Sequence, residues 1–303
     1  LARFYHGFAT AIFVPVANAL IAELFPKRRG ERISIFSSAT IVGRAVAPFL
    51  GGYILSVTNY GFHELYFAVG IAGVTALILL VILVGKPSVS RVRSEVVSSM
   101  NFGLIIREWG KVAKNKMIAI VSMVEATQYY AFGAVEFFLV GYLKEVVALN
   151  AALIGVIAGA QLVIIPVLKP FMGRLSDIVG REKPIIAGCI ISGLSLLAVT
   201  LTREFPLLLA ISVAYGSGFS LVTASTPPFV ADLTGKDMYG TALGFLSTIM
   251  DVGQTLGPIV TGVIIASKFG YSGGFTSLSV IILFTCGVFF LLNVVGESGF
   301  KKV

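Results

Sequence analysis

The sequence predicts an all-α polytopic membrane protein, a bundle in which nine spanning helices are present of an expected twelve. Three observations predict it. Apolar residues make up 56% of the 303 and charged residues only 13%, whereas soluble domains carry roughly 25% charge. Apolar runs of about 20 residues, enough to cross a hydrocarbon core of ~30 Å, recur along the whole chain. One glycine-proline phrase is also written twice: GRAVAPFLGG at 43–52 returns as GQTLGPIVTG at 253–262, each landmark displaced by 210 residues. A repeat of that kind inside two apolar helices implies a duplicated membrane bundle, the architecture of many secondary transporters.

The expected spans run in order along the chain. Residues 1–24 open already inside a helix, with neither Met nor a polar cap, so a longer parent with three further helices upstream is expected. Residues 33–57 carry the first copy of the repeated phrase, and 62–84 are apolar throughout. From 85 to 116 the chain turns polar and basic, and Val97, Leu104, Ile105, Trp109 and Val112 give that linker an apolar stripe suited to the membrane interface. Spans at 117–143, 153–172 and 185–202 come next. The span at 205–231 contains Pro227 and Pro228, which are expected to break it near its inner half. Residues 241–266 carry the second copy of the phrase, and 275–295 form the last span. This arrangement divides the chain into 1–84 (three helices of a first half), 85–116 (a cytoplasmic linker) and 117–303 (a second half of six helices).

The net charge of +8 does not point to nucleic acid, because it is distributed by loop. Eighteen of the 23 basic residues, Lys169, Arg174, Arg181 and the linker cations among them, are assigned to one set of alternate loops, and Lys144, Arg203 and Lys268 to the other. The positive-inside rule then places Leu1 outside and Val303 in the cytoplasm of a plasma-membrane protein. The remaining two, Arg3 and Arg44, fall within helices. Cys189 and Cys286 lie in separate apolar helices without metal-ligand spacing and read as packing residues.

Three segments carry a family resemblance. RFYHGFATA at 3–11, GRAVAPFLGG at 43–52 and GRLSDIVGREK at 173–183 resemble, in order, the fourth-helix motif, the fifth-helix antiporter motif and the second-half cytoplasmic loop motif of the major facilitator superfamily, in its drug:proton antiporter branch with twelve helices. His6 stands where Gln is usual, Ala47 where a second Gly is usual, and Ile178 where a basic residue is usual. The resemblance covers the chain as helices four to twelve.

The residues support physical readings of their own. Gly43, Ala47 and Gly51 form a ladder of small residues on which a neighbouring helix can approach closely; Pro48 bends that helix, and Gly52 closes the motif. Gly253, Gly257, Pro258 and Gly262 repeat the arrangement. Around Gly173 and Gly180, Asp177 sits among Arg174, Arg181 and Lys183 and is expected to bridge to them as a cytoplasmic gate. Glu23 and Asp232, at the inner ends of corresponding helices, read as gate or cap residues.

Charges at membrane depth cost on the order of 2.5–3.5 kcal/mol on insertion scales and so turn toward protein or a wet cavity. Glu125 and Glu136 fall about 20° apart around their helix, with Gln128, Tyr129 and Phe132 on the same stripe. On 241–266, Thr248, Asp251, Gln254, Thr255 and Pro258 form a polar face apart from Gly253 and Gly257. Arg3, His6, Arg44, Glu125, Gln128, Tyr129, Asp251 and Gln254 are therefore the expected substrate and proton pathway.

No P-loop, triad or metal-ligand cluster is present in the sequence, which argues against an enzyme, and no cofactor or metal is expected. The reading is a secondary active transporter exporting small amphipathic compounds in exchange for protons by alternating access. Its expected partners are a small-molecule substrate, protons and the lipid bilayer, and the complete protein is expected to be a monomer. The alternatives are a uniporter or symporter of a nutrient or metabolite, and a non-transporting membrane sensor or remnant carrier, against which the buried polar stripes argue.

Overall fold

The computed structural model describes residues 42–43, 46–84, 102–234 and 238–300, with the side chains of 102–106, 108, 239–240 and 294–300 left aside. The chain divides into two compact units, Leu1–Ala47 and Pro48–Val303, and the helical bundle belongs to the second. The predicted span at 1–24, with Arg3 and His6, lies outside the described residues, as do Glu23, Arg44 and Val97.

Among the described residues the structure is entirely helical. A short apolar helix, α1 (Val46–Val57), precedes α2 (Phe62–Val84), α3 (Phe102–Ala113), α4 (Lys116–Glu145), α5 (Ala151–Val179), α6 (Glu182–Ala198), α7 (Phe205–Asp232), α8 (Tyr239–Ala266) and α9 (Gly270–Phe300). Six of these, α2, α4, α5, α7, α8 and α9, are long and apolar enough to cross a membrane.

The 17 residues of α6 also cross. Arg181, at its start, bonds to Asp177 at the end of α5 and to Asp232 at the end of α7, so those three ends share one side. The chain must therefore return along α6 before α7 can begin on the other side. At 1.5 Å per residue α6 spans about 25 Å, near the lower limit for a crossing.

Side-chain caps set two of the starts. Asn115 accepts hydrogen bonds from the amides of Met117 and Ile118 at 3.0 and 3.3 Å, and Asn150 from that of Leu153 at 2.9 Å. Each cap satisfies donors that a helix N-terminus leaves open.

The core is the bundle α4–α9, with α4 at its centre, packed most extensively on α8 and also touching α5, α7 and α9. Glycines set the separations. A Cβ at Gly253 would collide with the Ala126 carbonyl, one at Gly257 with that of Tyr130, and one at Gly133 with that of Gln254. On the other flank Gly188 of α6 and Gly218 of α7 each face the other's carbonyl oxygen. Lipid solvates an apolar surface as well as protein does, so close backbone approach and the dispersion contacts it brings supply much of the association. Phe275, Phe289, Ile118, Leu143, Ile157 and Ile185 fill the interior.

Several expectations are revised. Pro227 and Pro228 do not break their helix, because α7 continues to Asp232. They lie in its last two turns, where Thr226, Phe229 and Val230 are buried and packing holds the backbone. Helix α5 extends seven residues beyond the predicted end at 172, and Lys169, counted with a loop in the charge distribution, lies well inside the helix. The interfacial stripe forms as α3, with Trp109 edge-on to Phe245 of α8 at 6.3 Å and Val112 buried.

Candidate functional site

Among the described residues the bundle buries one carboxylate, a third of the way along α4. Glu125 is 3% exposed and accepts a hydrogen bond from the Thr226 hydroxyl of α7, which also donates to the Val222 carbonyl at 3.1 Å. Lys169 of α5 lies within electrostatic reach of it. The expected carboxylate thus has a hydroxyl from α7 as its hydrogen-bond partner and the Lys169 side chain of α5 within electrostatic reach, two groups that its sequence stripe does not include. Both left signals: Lys169 sits between Pro166 and Pro170 within an apolar run, and Thr226 ends the polar stretch 223–226 just before the paired prolines.

The rest of the predicted α4 stripe divides. Gln128 is fully buried, and its amide nitrogen donates to Ser192 Oγ at 3.0 Å and Cys189 Sγ at 3.5 Å, both on α6. It joins two helices instead of lining an opening. Tyr129 and Phe132 form an aromatic patch with Phe219 of α7, whose ring centroid lies 5.1 Å from Tyr129 and 4.8 Å from Phe132. Glu136, expected to share the direction of Glu125, is exposed. At eleven residues a small angular offset carries a side chain off a crowded seam.

On α8 the packing side is as expected and the polar side is narrower. Gly253 and Gly257 lie buried against α4, while Asp251 and Thr255 are exposed and Thr255 Oγ1 donates to the Asp251 carbonyl at 2.8 Å. Gln254 departs from the expected polar face, since its backbone and Cγ sit against Gly133. Pro258 lies inside a continuous helix, and Gly262 faces the Phe138 ring.

The first copy of the repeated phrase makes its contact one position around from the predicted ladder. A Cβ on Gly52 would strike the Ala151 carbonyl and Gly155 of α5, and one on Gly155 would strike the Pro48 carbonyl. Pro48 and Gly52, four residues apart, therefore form the contacting face, with Phe49 over Gly159. Gly51 meets only Leu65 of α2 at 3.8 Å. Beside this seam Lys144 lies 4.4 Å from the Tyr60 ring centroid, at the rim of an apolar cavity of about 240 Å³.

At the opposite end the loop motif forms a clamp. Arg181 donates from Nε to Asp232 at 2.9 Å, and from Nη1 to Ser176 Oγ at 2.8 Å and to Asp177. Burial alone would lower the Arg181 guanidinium, but hydrogen bonds to Asp232 and Asp177 and the charges behind them outweigh it and hold it above its ordinary value. Asp177 thus bridges to a basic group as expected, and Asp232, at the end of α7, is the second partner of Arg181. Arg174 and Lys183 are exposed.

The comparisons with known proteins agree with this architecture. The family model described as Major Facilitator Superfamily matches twice, over residues 1–142 and 121–302. The chain is 25% identical over 276 residues to the multidrug resistance protein MdtG of Citrobacter koseri, covering 90% of this chain and 66% of that one. It is 26% identical over 278 residues to MdtG of Escherichia coli strain SMS-3-5 / SECEC, covering 90% and 65%. Over 293 residues it is 26% identical to an uncharacterized MFS-type transporter of Methanocaldococcus jannaschii, covering 93% and 73%. The chain therefore spans about two thirds of the length of the MdtG proteins it matches. With matches reaching from its first residue to residue 302, and a multi-pass bundle built on a repeated glycine-proline helix, the chain belongs to the major facilitator superfamily, a family of membrane transporters rather than enzymes.

Proposed function

We propose that this chain serves proton-coupled export of small amphipathic compounds, in the manner of the drug:proton antiporter branch, by alternating access. The observation that carries the reading is Glu125, a carboxylate 3% exposed within a membrane bundle, held by one hydroxyl and faced by Lys169. An ionisable group at that depth is costly, and its protonation depends on its few neighbours, so a helix movement that changes them is coupled to proton uptake or release. Thr226 and Lys169 come from α7 and α5, so a shift of either against α4 alters the carboxylate's surroundings. The names of the MdtG relatives support a multidrug type of substrate for this chain.

Gln128 serves packing in this reading, and Asp251 and Gln254 are secondary members of the pathway. Arg3 and His6 keep the polar roles expected of them in the first span, and Arg44 the one that its mid-helix place opposite Gln254 in the repeat implies. The Arg181 clamp joins the ends of α5, α6 and α7 and acts as the gate on its side, holding the three ends together in one state and releasing them in another.

The test is substrate export in vesicles carrying the protein, with and without an imposed proton gradient. Glu125→Gln is expected to abolish proton-driven export while retaining substrate binding, and Asp251→Asn to reduce it less. Undiminished proton-driven export in the double variant would remove both carboxylates from coupling. Export indifferent to the gradient in the unaltered protein would favour uniport.

The orientation has its own test. In a background free of Cys189 and Cys286, Asn59→Cys is expected to react with an impermeant thiol reagent added outside intact cells, and Ser94→Cys only after lysis. The reverse pattern would invert the topology.

A further inference from the structure

A groove of about 470 Å³ opens where α3 meets the bundle. Ala113 of α3, Ala119, Ile120, Ser122 and Met123 of α4, Phe245 and Ile249 of α8 and Leu292 of α9 form a mainly apolar trough, and Lys116 stands at one end of it. From Lys116 to Met123 the trough runs along α4 for about two turns, on the order of 10 Å, about two thirds of the depth of one leaflet's hydrocarbon. Met123 is 55% exposed on its flank.

The charge at its mouth is one-sided. Residues 107–116 contain Arg107, Lys111, Lys114 and Lys116 against the single acid Glu108, and Lys114 and Lys116 are exposed. The amphipathic helix α3 is fixed there by Trp109 against Phe245, which is itself a wall of the groove. An amphipathic helix leading directly into a membrane span lies at the level of lipid headgroups. A slot with apolar walls that reaches into the bilayer, and cations at the headgroup end, fits a ligand with a long chain and an anionic head.

We propose that this groove is a binding site for an anionic phospholipid, with one acyl chain along α4 between α8 and α9 and the headgroup phosphate held by Lys114 and Lys116. Zwitterionic lipid fits the trough equally well but lacks the net charge that two lysines select. The site is separate from Glu125 and from the Arg181 clamp. Its occupant seals α3 onto the bundle and makes the seating of the linker helix depend on lipid composition.

Trp109 is the chain's only tryptophan, so its fluorescence reports on this site alone. The experiment is quenching of Trp109 in the full chain, reconstituted with phospholipids brominated on their acyl chains, comparing brominated phosphatidylglycerol with brominated phosphatidylcholine at equal mole fraction. The expected result is a relative affinity of about fivefold or more for phosphatidylglycerol, the scale of one basic residue at an anionic surface. The double variant Lys114→Ala/Lys116→Ala should bring the ratio to unity while leaving Trp109 emission in unbrominated lipid unchanged, which shows that α3 is still seated. Ala119→Leu, which fills the trough, should reduce quenching by both lipids. Equal quenching by the two lipids in the unaltered protein would overturn the proposal. So would a phosphatidylglycerol preference that survives loss of both lysines, or quenching that is indifferent to the filled trough.

Discussion

Helices α2 and α4 are both long enough to cross the membrane, yet they are built on opposite plans. The apolar stretch of α2 carries no buried residue, whereas 67% of that in α4 is buried, and α4 is the least apolar of the six spans. In water the order would be reversed, with the most apolar helix inside. In lipid an apolar surface gains little by leaving its solvent, so burial goes to small residues and to polar groups that need partners. Helix α4 supplies Gly133, Glu125, Gln128 and an aromatic patch, and α7, α6 and α8 gather around them. Helix α2 offers Leu, Ile and Val, and Leu77, Ile78, Leu79 and Leu80 all remain exposed.

The contrast is broken most strongly at glycines. Gly257→Leu on α8 would drive a side chain into the Tyr130 carbonyl of α4, whereas Gly73 on α2 has nothing within 4 Å of an added Cβ. We expect Gly257→Leu to cost about 3 kcal/mol or more, seen as a large fall in Tm in detergent, and Gly73→Leu to leave Tm unchanged. Equal effects would mean that close backbone approach is not what holds the central pair.

A smaller effect is expected at the clamp. Arg181→Ala removes one side chain that joins Asp177, Ser176 and Asp232. The carboxylates are solvent-accessible, so the loss should be about 1 kcal/mol, measured as faster proteolysis at the loop between α5 and α6. Resistance to cleavage equal to that of the unaltered protein would show that the clamp does not secure these ends.

A difference of about the same size separates two polar side chains. Gln128→Leu removes the bond to Ser192 and should lower stability by about 1 kcal/mol, since interhelical hydrogen bonds in membranes average less than that in their net effect and this one also leaves Ser192 buried. Thr75→Val on α2 removes only a bond to its own Ile71 carbonyl at 2.8 Å and should change nothing measurable. A larger loss at Thr75 than at Gln128 would reverse the account of which helix is held by specific contacts.

The chain by itself determined the membrane class, most of the helix sites and, of the polar cluster, Glu125 and Gln128. Those properties are written in composition, run length and spacing: Glu125, Gln128, Gly253 and Gly257 were each legible as groups that a bilayer would force against protein, and Asp177 as a carboxylate set among basic residues. Tertiary structure alone decided which partner each received. Glu125 and Gln128 are three residues apart on one stripe, but one meets Thr226 of α7 and the other Ser192 of α6. Asp232 became the partner of Arg181 across 51 residues, and Lys169, counted with a loop in the charge distribution, came to lie inside α5. Even the face of the repeated motif turned by one position, to Pro48 and Gly52. Periodicity fixes the direction of a side chain on its own helix to within some tens of degrees. Which neighbouring helix lies in that direction depends on how the glycine contacts rotate and offset the helices, a relation between distant segments that no local pattern contains.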